Sequence, residues 1–472
     1  MNIKTITLGL SLFISVTQGF AQALYQYPEE PEVLEMLRKW QDMKFGLLMH
    51  WGAYSQWGVV ESWTLSSEDM GWNRRPQGKS YCQYVREYEE LKNTFNPVNF
   101  NPDKWAVAAK DAGMKYMIFT TKHHDGFNMY DTQQSDYKIT DPSVPFHSNA
   151  KADVTQEIFR SFRKEGFFTG AYFSKPDWHH KDYWASEWAT PNRHVNYDTR
   201  KYPERWENFK TFVYRQIEEL MIRYGKIDIL WLDGGWVRSF ASDAEEKKAA
   251  ERNLWNQDID MPKIAKMARS YQPGLIMVDR GAGSAYENYR TPEQAIPDKP
   301  LPHPWETCMT MADMWSYNEN DNYKSAHQLI RTLIQVVSRG GNFLLNVGPS
   351  PEGDFHPTAY QRLEEIGHWM KINGESIYGT KTIAPYHEEK IVFTQKDGTI
   401  YASYLPDENE TIPAVIEVHS FQPQAGSKVY LLGHDKALTW SKAGNGFSIC
   451  LSKSLQKNPP CHYAWVFKFK AL

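Results

Sequence analysis

The chain has 472 residues, 41% of them apolar and 23% charged, with a net charge of −4. That balance suits one large globular domain plus a smaller one, and the absence of a basic block excludes a nucleic-acid partner. Aromatic residues reach 14%, with 18 Trp, which a large aromatic core or a sugar-binding cleft would use.

The first residues read as an export signal over 1–23. Lys4 supplies the positive region, 6–16 the apolar core, and Gly19, Ala21 and Ala23 the small residues for cleavage. The apolar run is too short to span a bilayer. No cysteine stands at the cleavage point, so no membrane anchor is expected and the product is periplasmic or secreted. Cys82, Cys308, Cys450 and Cys461 are too few for a disulfide framework. Only Cys450 and Cys461 are close enough in sequence to suggest a bridge.

Val33, Leu34, Leu37 and Trp40 predict a helix over 31–44. Strands are then predicted at 45–51, 116–121, 167–173, 227–232, 275–278 and 342–347, with others near 307–311 and 376–378. Helices are predicted at 103–112, 152–165, 204–224, 262–271, 324–337 and 357–372. This alternation is the mark of parallel βα units. The fold class is α/β, a TIM-like (β/α) barrel over 24–380. Three long loops, 53–101, 177–203 and 282–305, exceed what the barrel needs, and loops of that length carry function. From about residue 384 short strands follow at 391–394, 399–404, 414–418, 428–432, 447–451 and 463–469. Turns such as Lys396-Asp397-Gly398 separate them and no helical period appears, which predicts a C-terminal antiparallel β-sandwich over 381–472.

The polar ends of the barrel strands carry the functional signal. The run Ile229-Leu230-Trp231-Leu232 is a buried strand that ends in Asp233-Gly234-Gly235. An unpaired buried charge is expensive, so Asp233 either caps the next loop or works at the barrel mouth. Other strands end in His50, in His123-His124, near Tyr172, and in Asp279-Arg280. Five successive ends of this kind are hard to explain by packing. No Gly-rich phosphate loop follows a strand, so no nucleotide is expected. His-x-His and His-Glu-x-x-His spacings are absent, and adjacent histidines on a strand point to opposite faces. No metal and no cofactor are therefore expected. Paired carboxylates amid neutral donors suit a glycosidase, one carboxylate attacking the anomeric carbon and the other protonating the leaving oxygen.

These residues resemble family-29 glycoside hydrolases, the α-L-fucosidases. The resemblance is carried by Lys44-Phe45-Gly46 through His50-Trp51-Gly52, by Lys122-His123-His124-Asp125-Gly126-Phe127, and by Trp231-Leu232-Asp233-Gly234-Gly235. Asp279-Arg280, Thr291-Pro292-Glu293 and the run from Gly341 to Pro349 complete it. It implies a barrel followed by a β-sandwich, and a retaining mechanism without metal. It implies Asp233 as nucleophile and Glu293 as acid/base, with Glu287 and Glu306 as rivals for the latter. His50, His123, His124, Tyr172, Trp231 and Arg280 become sugar ligands. The family's Glu-Trp pair is interrupted here as Glu61-Ser62-Trp63, so Glu61 and Trp63 are aligned across an inserted Ser. The implied partner is a fucosylated oligosaccharide or glycoconjugate cleaved from its end. Rival readings are an α-L-galactosidase, a sugar-binding homologue without catalysis, and a metal-dependent hydrolase using the histidines. The sequence assigns no oligomeric state.

Overall fold

The computed structural model describes residues 25–66, 78–189 and 192–471. The expected export segment at 1–23 lies outside them. Helix α1 (Pro31–Met43) leads into strand β1 (Phe45–Met49), and helices α2 (Tyr81–Glu89) and α3 (Pro102–Asp111) precede β2 (Tyr116–Lys122). Helix α4 (Val154–Lys164) connects to β3 (Phe168–Ser174), α5 (Pro203–Arg223) to β4 (Ile229–Asp233), and α6 (Asp243–Ala250) with α7 (Met261–Tyr271) to β5 (Ile276–Asp279). The order closes with β6 (Glu306–Thr310), α8 (Ala326–Ser338), β7 (Asn342–Asn346) and α9 (Pro357–Asn373).

The seven strands form one curled sheet in the order β5-β4-β3-β2-β1-β7-β6, and every pairing within it is parallel. Among the described residues no regular strand joins the two edges, β5 and β6. The chain from Glu287 to Glu293 crosses that gap with three isolated bridges, Val278 to Glu287, Arg290 to Trp305 and Glu293 to Cys308. This seam completes the barrel.

Both faces of the sheet are buried, which is why its strands read as continuous apolar runs. Alternate residues point inward. Leu48, Ile118, Tyr172, Trp231, Val278, Cys308 and Leu344 form the inner cluster, and Trp40 stacks on Tyr289 at 3.9 Å within it. Gly46 is on the same face because a Cβ there would meet the Tyr116 ring at 2.4 Å. Helix ends are set by local caps: Asp153 accepts from Gln156 N at α4, and Ser325 and Gln328 form a capping box at α8.

Eight further strands make two antiparallel sheets. Strands β8 (Lys381–Glu388), β9 (Ile391–Lys396), β10 (Thr399–Tyr404), β12 (Tyr430–Leu431) and β15 (Trp465–Lys470) form one, in the order β12-β15-β10-β9-β8. Strands β11 (Val415–Val418), β13 (Thr439–Ala443) and β14 (Gly446–Cys450) form the other. Phe447 and Phe469 touch across them, ring centroids 4.9 Å apart.

Four expectations need correction. The stretch 376–378 is no strand: a 3₁₀ turn, Gly374–Ser376, ends there and Tyr378 reaches back to the Gly113 carbonyl. The C-terminal region holds a one-turn helix, α10 (Lys453–Lys457), started by the Ser452 cap. Cys450 and Cys461 do not pair; the first is exposed and the second buried, where its thiol meets the Ala464 carbonyl. His123 and His124 do not face opposite ways, because β2 ends at Lys122 and both rings lie in the turn beyond, 4.3 Å apart.

Candidate active site

A cavity of about 630 Å³ opens at the C-terminal ends of the barrel strands. Its lining includes His50, Glu61, Trp63, His123, Tyr172, Trp231, Asp233, Arg280, Glu287 and Glu293. Nine of the ten expected site residues therefore meet at one mouth. His124 stands just behind the wall, its Nε2 3.7 Å from Asp233 Oδ2.

Asp233 is the centre of the arrangement. Tyr172 donates to its Oδ2 at 2.6 Å, and Arg280 Nη1 donates to its Oδ1 at 3.1 Å. Burial alone would raise this carboxyl. The Arg280 guanidinium, with the hydroxyl of Tyr172, outweighs burial and holds it well below the usual carboxylate range. The two glycines that follow have a steric cause. Gly234 has φ +89, and a Cβ there would meet Pro176 at 2.4 Å; one on Gly235 would meet the Arg280 carbonyl at 2.6 Å. Behind them Lys175 and Asp279, both fully buried, form an ion pair across β4, and Ser284 donates to the second Asp279 oxygen. The Asp279-Arg280 pair thus divides its work: Asp279 fastens the strand ends and Arg280 enters the cavity.

The three candidate acids occupy different places. Glu293 is 44% exposed on the seam and shares the Arg280 guanidinium with Asp233, through Nη2. Glu287 also lines the cavity, but its Oε1 accepts from Gly281 N at 2.9 Å, closing the turn after β5. Glu306 faces the barrel interior, two residues before Cys308 on β6. Tyr116 donates to it at 2.6 Å and Trp231 Nε1 at 3.4 Å. Burial pushes the Glu306 carboxyl up to about 8. It lies beneath the Trp231 floor rather than in the cavity, which removes it from contention on geometry.

Glu61 and Trp63 both reach the cavity despite the inserted residue. Glu61 takes a left-handed backbone, φ 37, and accepts from Ser316 N at 2.9 Å. Burial raises its carboxyl to about 8. The extra Ser62 is bound by His123 through its hydroxyl. Trp63 packs edge-on against His124 at 5.0 Å.

Other lining residues escaped the sequence reading. Trp236 and Arg193 form a wall with Trp63, the Arg193 guanidinium 4.5 Å from the Trp63 ring and 5.3 Å from Trp236. Trp315 lies 5.2 Å from the His50 ring. Ser174 and Asn346 hold His124 and His50 from behind. The aromatic content hinted at the wall, but Arg193 had no signal in the sequence. His123, His124 and Asp233 also bring three donor atoms within 4.8 Å, a set able to take a metal ion. Two of its nitrogens are already committed, His123 Nδ1 to Ser62 and His124 Nδ1 to Ser174, so only the Nε2 atoms and the carboxylate remain for an ion.

Comparison with known proteins gives the lineage. Residues 12–375 match the family model described as Alpha-L-fucosidase, and residues 385–470 match that described as Alpha-L-fucosidase C-terminal domain. The tissue alpha-L-fucosidase of Rattus norvegicus is 27% identical over 486 residues, covering 98% of this chain and 96% of its own. That of Bos taurus is 29% identical over 454 residues, covering 92% and 88%. Among solved structures, alpha-L-fucosidase isoenzyme 1 from Paenibacillus thiaminolyticus superposes with a TM-score of 0.74 at 30% identity, over 93% of this chain and all of that one. The alpha-fucosidase of Thermotoga maritima, solved with a mechanism-based inhibitor, shares the fold at 24% identity and a TM-score of 0.72, over 94% and 100% of the two chains. A match running through barrel and C-terminal sheets alike, on a cavity whose strand ends carry the motifs set out above, places this chain in the α-L-fucosidase family, glycoside hydrolase family 29.

Proposed function

We propose that the chain is a retaining, exo-acting α-L-fucosidase that removes terminal α-L-fucosyl units from oligosaccharides or glycoconjugates. Asp233 is the nucleophile and Glu293 the acid/base. The observation that carries the reading is one guanidinium shared by two carboxylates of unlike surroundings. Asp233 is kept ionised before substrate arrives, as an attacking group must be. Its oxygen bonds to the anomeric carbon while Glu293 gives a proton to the departing oxygen. Water, deprotonated by Glu293, then releases the sugar with its configuration kept.

His50, Glu61, Trp63, His123, Tyr172, Trp231 and Arg280 hold the sugar in this reading, with His124 behind them against Asp233. The floor of Trp231, Tyr172 and His50 closes the cavity below, which supports cleavage from a chain end. Glu61, with its carboxyl raised to about 8, is neutral at physiological pH and able to donate to a hydroxyl. The mechanism uses no cofactor. Residues 24–380 form the catalytic unit, 381–472 the accessory β unit, and 1–23 direct export.

The test is hydrolysis of an aryl α-L-fucoside beside fucosylated oligosaccharides and an aryl α-L-galactoside, with the first-formed anomer read by NMR. Release of α-L-fucose first, undiminished by a chelator, is the expected result. Release of β-L-fucose first would mean inversion, and no turnover of any fucoside would end the reading.

A further inference from the structure

The cavity histidines have neighbours that fix where their protons sit. His50 Nδ1 lies 2.8 Å from Asn346 Oδ1, and Asn346 Nδ2 donates to the Trp315 carbonyl at 2.7 Å. A carbonyl only accepts, so the amide NH₂ must face Trp315 and the amide oxygen must face His50. Nδ1 of His50 therefore carries a hydrogen. The same logic holds at His124. Its Nδ1 lies 2.6 Å from Ser174 Oγ, and that hydroxyl donates to the Pro176 carbonyl at 2.7 Å. Ser174 has one hydrogen to give, so His124 Nδ1 must donate to it.

Each ring is then left with a lone pair at Nε2, because burial keeps both neutral, His50 down to about 4 and His124 to about 3. His124 Nε2 is buried and has no hydrogen-bond partner among the described residues. It faces Asp233 Oδ2 at 3.7 Å, acceptor against acceptor. Sealed from the cavity, that nitrogen is out of a sugar's reach, whereas His50 lines the cavity.

We infer that Asn346 is a positioning residue that locks His50 as the Nδ1–H tautomer, so that its ring accepts a hydrogen bond from a sugar hydroxyl and does not donate to it, while Ser174 locks His124 in the same tautomer behind the wall. The inference rests on the glycosidase reading and adds the direction of the bonds. It selects pyranoses with a free hydroxyl at this point. An ether or a fluoride there sets a second lone pair against Nε2.

The experiment measures binding rather than turnover, because a ring fluorine also disfavours the oxocarbenium-like transition state. L-fucose, its monodeoxy analogues and its monodeoxyfluoro analogues serve as competitive inhibitors of aryl α-L-fucoside hydrolysis by the wild-type chain. That hydrolysis itself checks the glycosidase reading separately. At one ring position or more, the fluoro analogue should bind no better than the deoxy one, both about tenfold or more weaker than fucose. Fluorine restoring affinity to within about threefold of fucose at every position overturns the inference, since it would mean that the His50 ring donates. Asn346→Asp supplies a second readout. It keeps an acceptor at Nδ1–H but adds charge beside a ring that already faces Asp233, Glu293 and Arg280. The imidazolium it favours is a donor at both nitrogens, so the acid limb of kcat/KM should move up by about one pH unit or more. An unmoved limb removes Asn346 from the role. Activity lost to a chelator and restored by a divalent ion would give Nε2 to a metal and overturn the inference as well.

Discussion

Asp233 and Glu293 bind the same guanidinium but are built on different ground. Asp233 ends β4, which is paired on both sides, and Arg280 and Tyr172 both donate to its carboxylate. Glu293 sits on the irregular seam, with nearly half its side chain in solvent. On the proposed roles, the difference follows from what each group must do. A nucleophile has to be ionised and aimed in advance, so every partner can be permanent. An acid must exchange Arg280 for the glycosidic oxygen and gain a proton on the way. A seam anchored by a few bridges allows that exchange where a strand would not.

The largest expected effect tests the fixed half. Asp233→Ala should lower turnover by roughly 10⁴–10⁶-fold while fucose still binds. Azide should restore part of the rate and yield a β-fucosyl azide. Turnover near wild type would show that the strand-borne carboxylate is not the nucleophile.

Next comes the exchanging half. Glu293→Ala should cost about 10²–10⁴-fold on fucosyl oligosaccharides and far less on aryl fucosides with good leaving groups. If Glu287→Ala shows that split instead, the acid belongs to the turn after β5.

Glu306 sharpens the contrast, being a carboxyl that lies beneath the cavity and does not line it. Its folded pKa, about 8, exceeds its ordinary value of 4.5, so the native state keeps a proton that the unfolded chain releases. Its contribution to stability is full below pH 4.5 and is lost as pH rises towards 8, on the order of a few kcal/mol. In Glu306→Gln that loss should vanish, so the melting temperature should fall less between about pH 5 and pH 8 than in wild type. Equal slopes would place an ionised group there. His50 and His124 act with the opposite sign. Their folded values lie below 6.5, so their share is lost as pH falls from 6.5 towards about 4 and about 3. The smallest effect is at Cys450→Ser, which should shift the melting temperature by no more than about 1 °C, because the thiol is exposed and unpaired.

The barrel strands were legible because each is buried on both faces and bounded by loops, and the site was legible wherever chemistry sat at a strand end. Strands β8 and β13 were not, since their side chains are largely exposed and carry little apolar signal. Helix α6 escaped for a similar reason, with Ala249 its one buried residue. Ser62, Ser174 and Asn346 were visible as letters but not as partners. Asn346 lies 296 residues from the histidine it holds, and only folding brings the two together. Glu306 read as a rival acid because one-dimensional order does not say how deep in the barrel it lies: it shares the inner face of β6 with Cys308 but sits beneath the Trp231 floor.

The seam at 287–293 also has a consequence for inheritance. Along a regular ladder a one-residue slip turns every side chain to the other face, so length is policed by the core. Up to Arg290 the core still fixes the seam, with Asn288 and Tyr289 buried and Tyr289 stacked on Trp40, but from Thr291 to Glu293 one isolated bridge, Glu293 to Cys308, imposes no such discipline. An insertion or deletion there moves the carboxylate along the rim while β4 and Asp233 stay where they are. If Glu293 is the acid, as proposed, half of the chemistry is written where spelling is free to drift, and a descendant can carry its acid a few positions away on an unchanged barrel.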